Sequence, residues 1–164
     1  MVIFEVSTNA ARENVPHIER QIRLIKEHVR CTTSDFPFNP IPRLVLIHIV
    51  YTCVMWLNAI PQKAGAVQGI SPCEIVTGRM VNYKRDCWAC MGGYVETITD
   101  AIVTDDNTPR THSFIALGPS GNHQGSVKCF DLETGKVVVR RTINHIPWPE
   151  RMIKKASAWG RLSK

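Results

Sequence analysis

The sequence lacks the short motifs by which many nucleotide-dependent and hydrolytic enzymes are recognised. It contains no phosphate-binding loop of the GxxxxGK[ST] type, no GxGxxG turn and no serine-centred GxSxG turn. It also contains no internal repeat and no low-complexity tract. Residues 1–5 have neither the basic start nor the long apolar segment of a signal peptide. These absences argue against a P-loop nucleotidase, a dinucleotide-dependent oxidoreductase, an α/β-hydrolase and a secreted chain.

Paired metal-ligand motifs are also missing. The six cysteines are scattered, and Cys87 and Cys90 form a single CxxC with no second pair elsewhere. A structural zinc site needs four ligands, so Cys73, His112 or Cys129 could complete one only if the fold brought them together. We therefore expect free thiols and a reducing compartment, that is, a cytoplasmic and nuclear protein.

Only one hydrophobic run is long, and it covers residues 44–60. His48, Thr52 and Asn58 are its only polar interruptions. As a helix these residues would reach about 26 Å, slightly less than a bilayer core of roughly 30 Å. A histidine in mid-membrane would also be costly. The run therefore predicts a buried core helix over about 43–59, and a membrane span is the alternative.

Acidic residues are scarce in the last third of the chain. Residues 110–164 carry ten lysines and arginines against three acids (+7), whereas residues 1–60 carry six against five (+1) and residues 61–109 four against six (−2). All of the basic surplus therefore lies in one third of the sequence. Such a local excess indicates a polyanionic partner, and the alternative is a basic surface that contacts only solvent.

Residues 15–31 have the clearest helical periodicity. Four apolar residues recur at steps of 4, 3 and 4, namely Ile18, Ile22, Ile25 and Val29. A polar row recurs at the same steps and consists of Glu19, Arg23, Lys26 and Arg30. The polar row is either a solvated face with a Glu19–Arg23 ion pair or a line of phosphate-binding cations beside a carboxylate. Periodicity alone leaves both interpretations open.

Beyond residue 92 the pattern changes to short β-type runs separated by turns. Strands are predicted over 94–98, 112–117, 127–132 and 136–143, with Gly135 in a tight hairpin and loops at 105–109 and 118–122. A short helix is predicted from a Ser71 cap to Gly78, and a basic helix near the end. We expect an α+β chain with three parts: helices over 1–80, a small β-rich module over 92–146, and a basic helix or tail over 147–164.

Several of these segments occur in the order known from one family. They are residues 13–23 (ENVPHIERQIR), 56–58 (WLN), 71–72 (SP), 76–78 (VTG), 116–122 (ALGPSGN) with Gly125, 130–136 (FDLETGK) and 140–141 (RR). Together they resemble the C-terminal part of a copia-type LTR-retrotransposon integrase, within a Pol polyprotein. The resemblance covers nearly the whole chain, and it is specific in order and spacing more than in any single motif.

The resemblance implies a fold, a chemistry and a set of site residues. It implies the last helices of a ribonuclease H-like core, followed by an SH3-like barrel or a curled sheet. Glu19 would be the third acid of a DDE triad, both catalytic and a ligand of two Mg²⁺ or Mn²⁺ ions that perform strand transfer. The residues implied in DNA binding are Arg20, Arg23, Lys26, Arg30, Lys136, Arg140, Arg141, Arg151, Lys154 and Lys155.

The sequence also departs from the family pattern. None of the 18 residues before Glu19 is an aspartate, and Ile22 replaces an asparagine that is common in the family. One carboxylate cannot hold two divalent ions, so we expect no catalysis by this chain alone and no metal bound to it. The expected partners are DNA, through its phosphate backbone, and the remainder of the Pol polyprotein or integrase oligomer, with no membrane. The alternative is a stand-alone basic nucleic-acid-binding or interaction module without catalytic ancestry.

Overall fold

The computed structural model describes residues 16–61, 67–98 and 110–163. The predicted loop at 105–109 and residues 13–15 of the family-like segment lie outside them. The helices are α1 (Pro16–Ser34), α2 (Arg43–Ala59), α3 (Pro72–Thr77), α4 (Tyr83–Asp86) and α5 (Glu150–Leu162). The strands are β1 (Tyr94–Ile98), β2 (Thr111–Pro119), β3 (Val127–Asp131), β4 (Val137–Arg140) and β5 (Asn144–His145). The predicted α+β class is confirmed.

Helix ends follow the local sequence signals. Helix α2 begins after Pro42 and ends at Ala59, as predicted. Helix α3 is capped by Ser71, whose hydroxyl accepts a hydrogen bond from the Glu74 amide at 3.2 Å, and it ends at Gly78 in the left-handed conformation. Helix α1 extends three residues beyond the predicted end, because the hydroxyls of Thr32 and Thr33 bond back to carbonyls of the helix.

The five strands form one antiparallel sheet in the order β4-β3-β2-β1-β5. Its β3–β4 hairpin is closed as predicted, with Gly135 at a φ of 70°. The Asp131 carboxylate holds this turn by accepting hydrogen bonds from the Glu133 amide and the Thr134 hydroxyl, each at 2.7 Å. Two short elements, α4 and β5, are not predicted from the sequence.

The sheet is open but curled. Strands β4 and β5 lie at opposite edges, yet only residues 141–143 separate them along the chain. Four residue steps span at most about 14 Å. Four strand spacings across a flat sheet would require about 19 Å. The two edges must therefore bend toward each other.

One face of the sheet packs against helices from both ends of the chain. Val45 and Ile49 of α2 and Met152 of α5 join Tyr94 and Phe130 of the strands in a single buried cluster. Trp148 extends this cluster, with its ring centroid 5.1 Å from that of Phe38 and 5.4 Å from that of Tyr94. The boundary predicted between residues 80 and 92 therefore does not separate two hydrophobic cores.

The opposite face of the sheet is also buried. Its cluster contains Val95, Phe114, Val127 and Cys129 of the strands, together with Ile143 of the segment that joins the two edges. Residues of β2 therefore alternate between the two clusters, which explains why its central five residues are all buried. A curled sheet of this kind encloses apolar side chains on its concave side.

The helices leave some apolar side chains exposed. Helix α2 buries Val45, Ile49 and Cys53 on one side, whereas Ile47 and Tyr51 on the other side are 40% and 67% exposed. In the part of the chain that the structure describes, no helix is both long and apolar enough to cross a membrane.

Candidate nucleic-acid interface

The polar row on α1 lies on one exposed face of the helix. Glu19, Arg23, Lys26 and Arg30 are all exposed, as is the neighbouring Arg20. Their side chains and that of Ile22 line a shallow groove along the helix. At a rise of 1.5 Å per residue, the three cations of the row extend over about 10 Å. The spacing of these residues in the sequence therefore places them in one continuous line along the helix. This line is here named the α1 basic row (Arg23, Lys26 and Arg30).

No carboxylate of the described residues neutralises the α1 basic row. None of the ion pairs among the described residues involves Arg20 or a member of the row. The Glu19–Arg23 pair, which was one interpretation of this pattern, is therefore not formed. Unpaired cations on a helix keep their counterions in solution and can exchange them for phosphates.

The apolar row of α1 is only partly covered. Val29 packs against the main cluster, whereas Ile18 and Ile22 are 57% and 46% exposed. The C-terminal half of α1 therefore anchors the helix, and the half that carries Glu19 and Arg23 extends beyond the core. Ile18 and Ile22 therefore form a small exposed apolar surface at the N-terminal half of α1.

The basic residues of the C-terminal third divide into two groups. Lys136, Arg141 and Arg151 are exposed and have no carboxylate partner within the described residues. In contrast, Lys154 pairs with Glu150 at 2.9 Å, and Lys155 pairs with Glu133. A cation already paired with a carboxylate has less to gain from a phosphate.

Arg140 is held by the sheet. Its guanidinium carbon lies 5.8 Å from the ring centroid of Phe114, and its Nε is buried without a hydrogen-bond partner. No hydrogen bond, ion pair or ring contact among the described residues joins the C-terminal cations to the α1 basic row. The two sets of cations therefore occupy separate elements of the fold.

The residues around Glu19 do not fit a two-metal site. Within the described residues no three histidine, cysteine or acidic side chains lie close enough together to hold a metal ion. The described lining of the groove beside Glu19 contains cations and no second carboxylate. Two divalent ions need several hard oxygen ligands, which this surface does not supply.

The thiols likewise remain separate. All six cysteines are free, and Cys73, His112 and Cys129 do not gather around the CxxC. Burial raises the pKa of the Cys129 thiol to about 12, and burial together with the Asp86 charge raises the pKa of the Cys87 thiol. Both groups are therefore protonated at neutral pH and behave as packing residues.

The family-like segment 116–122 forms the end of β2 and the loop that follows it. The Asn122 side chain accepts from the Ser126 amide and donates to the Ser126 hydroxyl, each at 2.9 Å. Gly118 approaches α2, where a Cβ would lie 3.1 Å from the Thr52 hydroxyl oxygen. This segment therefore has a structural role in holding the loop and in packing the sheet on α2.

Sequence patterns did not reveal a cleft that the fold forms between two helices and a loop. It lies between α1, α2 and residues 86–93, and its wall includes Asp35, Trp56 and Trp148. These residues come from distant parts of the chain and share no motif. The only signal in the sequence was the CxxC, because Cys87 and Cys90 line this cleft as well.

Comparison of the chain with protein-family models, with curated proteins and with solved structures finds no match.

Proposed function

We propose that this chain is the C-terminal part of a copia-type retrotransposon integrase and that it binds DNA through the phosphate backbone without sequence preference. The observation that carries the DNA-binding proposal is the α1 basic row, which presents Arg23, Lys26 and Arg30 on one face with no carboxylate partner among the residues that the structure describes. Lys136, Arg141 and Arg151 supply further exposed cations. Such side chains gain affinity by releasing the counterions of DNA.

The integrase proposal rests on the order of the family-like segments in the sequence. In this proposal α1 to α3 correspond to the last helices of a ribonuclease H-like core, and the curled sheet corresponds to an SH3-like closing module. The short connection between β4 and β5 supports such a curled module. Glu19 keeps its proposed role as third acid only in a complete integrase, with Mg²⁺ or Mn²⁺ held jointly by carboxylates outside the described residues.

The DNA-binding proposal is tested by the salt dependence of affinity. The measurement is fluorescence anisotropy of a labelled random-sequence DNA duplex, titrated with the protein at several salt concentrations. Neutralising the α1 basic row by Arg23→Gln, Lys26→Gln and Arg30→Gln should reduce the magnitude of the slope of log K against log salt by about 2.7, since each phosphate contact contributes about 0.9. A binding constant that does not change with salt would refute phosphate recognition.

A matched control separates the position of the charges from their number. The substitutions Arg43→Gln, Arg79→Gln and Lys84→Gln also remove three exposed positive charges, but from outside the row. They should change the slope by less than about 1. If both triple variants change the slope equally, binding follows net charge, and α1 is not the interface.

Integrase ancestry is tested separately. Sequencing the transcript upstream of the Met1 codon should reveal a reading frame that encodes two aspartates on a ribonuclease H-like sheet. In an integrase reconstructed from that frame, Glu19→Gln should abolish strand transfer, because one ligand of both metal ions would be lost. A promoter and an authentic start with no integrase frame would instead support the stand-alone DNA-binding module.

A further inference from the structure

One cleft of the described structure has no role in the proposed DNA contact. This cleft, here named the Trp56 cleft, lies between α1, α2 and residues 86–93 and has a volume of about 560 Å³. Pockets that bind ligands commonly measure about 300–1,000 Å³. It is therefore large enough for a few side chains of a partner.

The walls of the Trp56 cleft are aromatic and thioether groups. Trp56 and Met55 of α2 line the cleft, as does Met91 of the segment before β1. Phe36 and Trp148 also line it. Trp56 is 37% exposed, so its ring is accessible. Tryptophan offers a large rigid contact surface, and methionine adapts to ligands of different shapes. Such walls suit apolar side chains.

The charge of the Trp56 cleft is opposite to that of the molecule. Neither lysine nor arginine is among the described residues that line it, although the chain carries a net charge of +6. The carboxylates of that described lining are Asp86, which pairs with Arg85 at 2.7 Å, and Asp35, which has no ion-pair partner among the described residues. An exposed carboxylate beside an indole favours a cationic side chain, because the carboxylate and the π face both attract positive charge. The same charge disfavours a phosphate.

The cleft also offers main-chain groups that have no partner among the described residues. The wall formed by residues 89–91 is neither helix nor strand, and within the described structure none of its three amides donates a hydrogen bond. The carbonyl of Cys90 accepts from Gly93, but those of Ala89 and Met91 accept no bond from another described residue. Free donors and acceptors side by side match the main chain of a peptide, which carries both.

We propose that the Trp56 cleft binds a short peptide segment of a partner protein, in which a lysine or arginine is flanked by apolar side chains. The basic side chain lies against Trp56 and faces Asp35, and the apolar neighbours contact Met55 and Met91. The peptide main chain pairs with residues 89–91. The partner is a different protein, and a second copy of this chain is the alternative that the experiment distinguishes.

The probe is a phage-displayed library of random heptapeptides selected on the immobilised full chain. Enriched sequences should contain lysine or arginine next to leucine, methionine or an aromatic residue. Synthetic, fluorescein-labelled copies of them should bind Trp56→Ala at least tenfold more weakly, since an aromatic anchor is lost. They should bind Asp35→Asn about two- to fivefold more weakly, as expected for an exposed charge pair.

Two further variants keep the test decisive. Asp35→Lys changes an exposed residue that the fold does not need, so it tests the cleft even if Trp56→Ala fails to fold. Glu27→Gln removes the same charge as Asp35→Asn, but from helix α1 and outside the cleft, and it should leave peptide affinity unchanged. Asp35→Asn should not weaken DNA binding, which separates this inference from the proposed function.

The outcomes that overturn the proposal are equally specific. Selection of no sequences above a bare surface, or of acidic sequences, would show that the cleft does not take a basic peptide. Equal peptide affinity of the native protein and Asp35→Lys would place the binding elsewhere. Self-association on gel filtration that Trp56→Ala abolishes would identify a second copy as the occupant.

Discussion

Gly135 shows how a single residue joins the hairpin to the last helix. It adopts a φ of 70° in the β3–β4 turn, and a Cβ there would lie 2.6 Å from the ring of Trp159. The indole of Trp159 also donates a hydrogen bond to the Leu132 carbonyl at 2.9 Å. The turn therefore requires glycine for two reasons, backbone conformation and space.

Replacing Gly135 should separate the free-energy cost of its left-handed backbone from the cost of the close contact with Trp159. Gly135→Ala should destabilise the protein by about 2–4 kcal/mol, the sum of left-handed strain and overpacking against Trp159. Gly121→Ala is the control, because Gly121 also has a positive φ but faces open space. It should cost only about 1 kcal/mol. Urea unfolding measures both, and equal losses would show that Trp159 yields without cost.

At the scale of elements, α5 is fixed by a close approach to the loop before α2. Gly160 lies so near the carbonyl oxygen of Pro40 that a Cβ would overlap that atom. The Ser163 hydroxyl accepts a hydrogen bond from the Arg43 amide at 3.2 Å, at the start of α2. The end of the last helix is therefore packed against the beginning of α2, 120 residues earlier in the sequence.

Helix propensity and packing make opposite predictions for Gly160→Ala. Propensity alone predicts a stabilisation of about 1 kcal/mol in a helix. The overlap with Pro40 predicts instead a loss of about 1–3 kcal/mol, because backbone must move. Ala158→Gly, at an exposed position of the same helix, measures the propensity contribution by itself. A Gly160→Ala protein that is more stable in thermal unfolding would contradict the observed docking of α5.

The whole molecule is organised around one cluster shared by helices and strands. Val45 of α2, Phe130 of β3 and Met152 of α5 belong to it. When one element of a shared cluster unfolds, the others lose the apolar contacts that they made with it, so all of them tend to unfold together. The fold is therefore expected to behave as one cooperative unit instead of a helical module and a β module.

Cooperativity can be measured directly. Tryptophan fluorescence and far-UV circular dichroism should give the same midpoint in urea. Fluorescence reports on the tryptophans, which include Trp148 and Trp159 near the sheet, and circular dichroism reports mainly on the helices. A chain that ends at residue 146 should not fold, because removing α5 and Trp148 uncovers Tyr94 and Phe130. Two separate transitions would instead support independent modules over 1–80 and 92–146.

Local signals in the sequence were sufficient for most elements. The bounds of α2 follow from Pro42 before it and Pro61 after it, and the bounds of α3 follow from Ser71 and Gly78. Proline and glycine restrict the backbone locally, so their effects do not depend on distant contacts. Strand β5 has only two residues and exists because β1 offers a free edge, so no local pattern could reveal it.

The candidate sites differ in the same way. The α1 basic row was predictable because helical periodicity alone places Arg23, Lys26 and Arg30 on one face. The sequence could not show that Lys154 and Lys155 are paired with Glu150 and Glu133. The Lys155 partner in particular is far away in sequence, and such pairs depend on tertiary contacts.

The sequence by itself determined helices α1, α2, α3 and α5, the main strands, the glycine turn and the row of cations on α1, because each depends on residues within a few positions of one another. Tertiary structure decided which charges remain free, that α2 and α5 share a core with the sheet, and that Asp35, Trp56 and Met91 meet in one cleft. The physical reason is that burial and charge pairing depend on distances in space, which chain order alone does not specify.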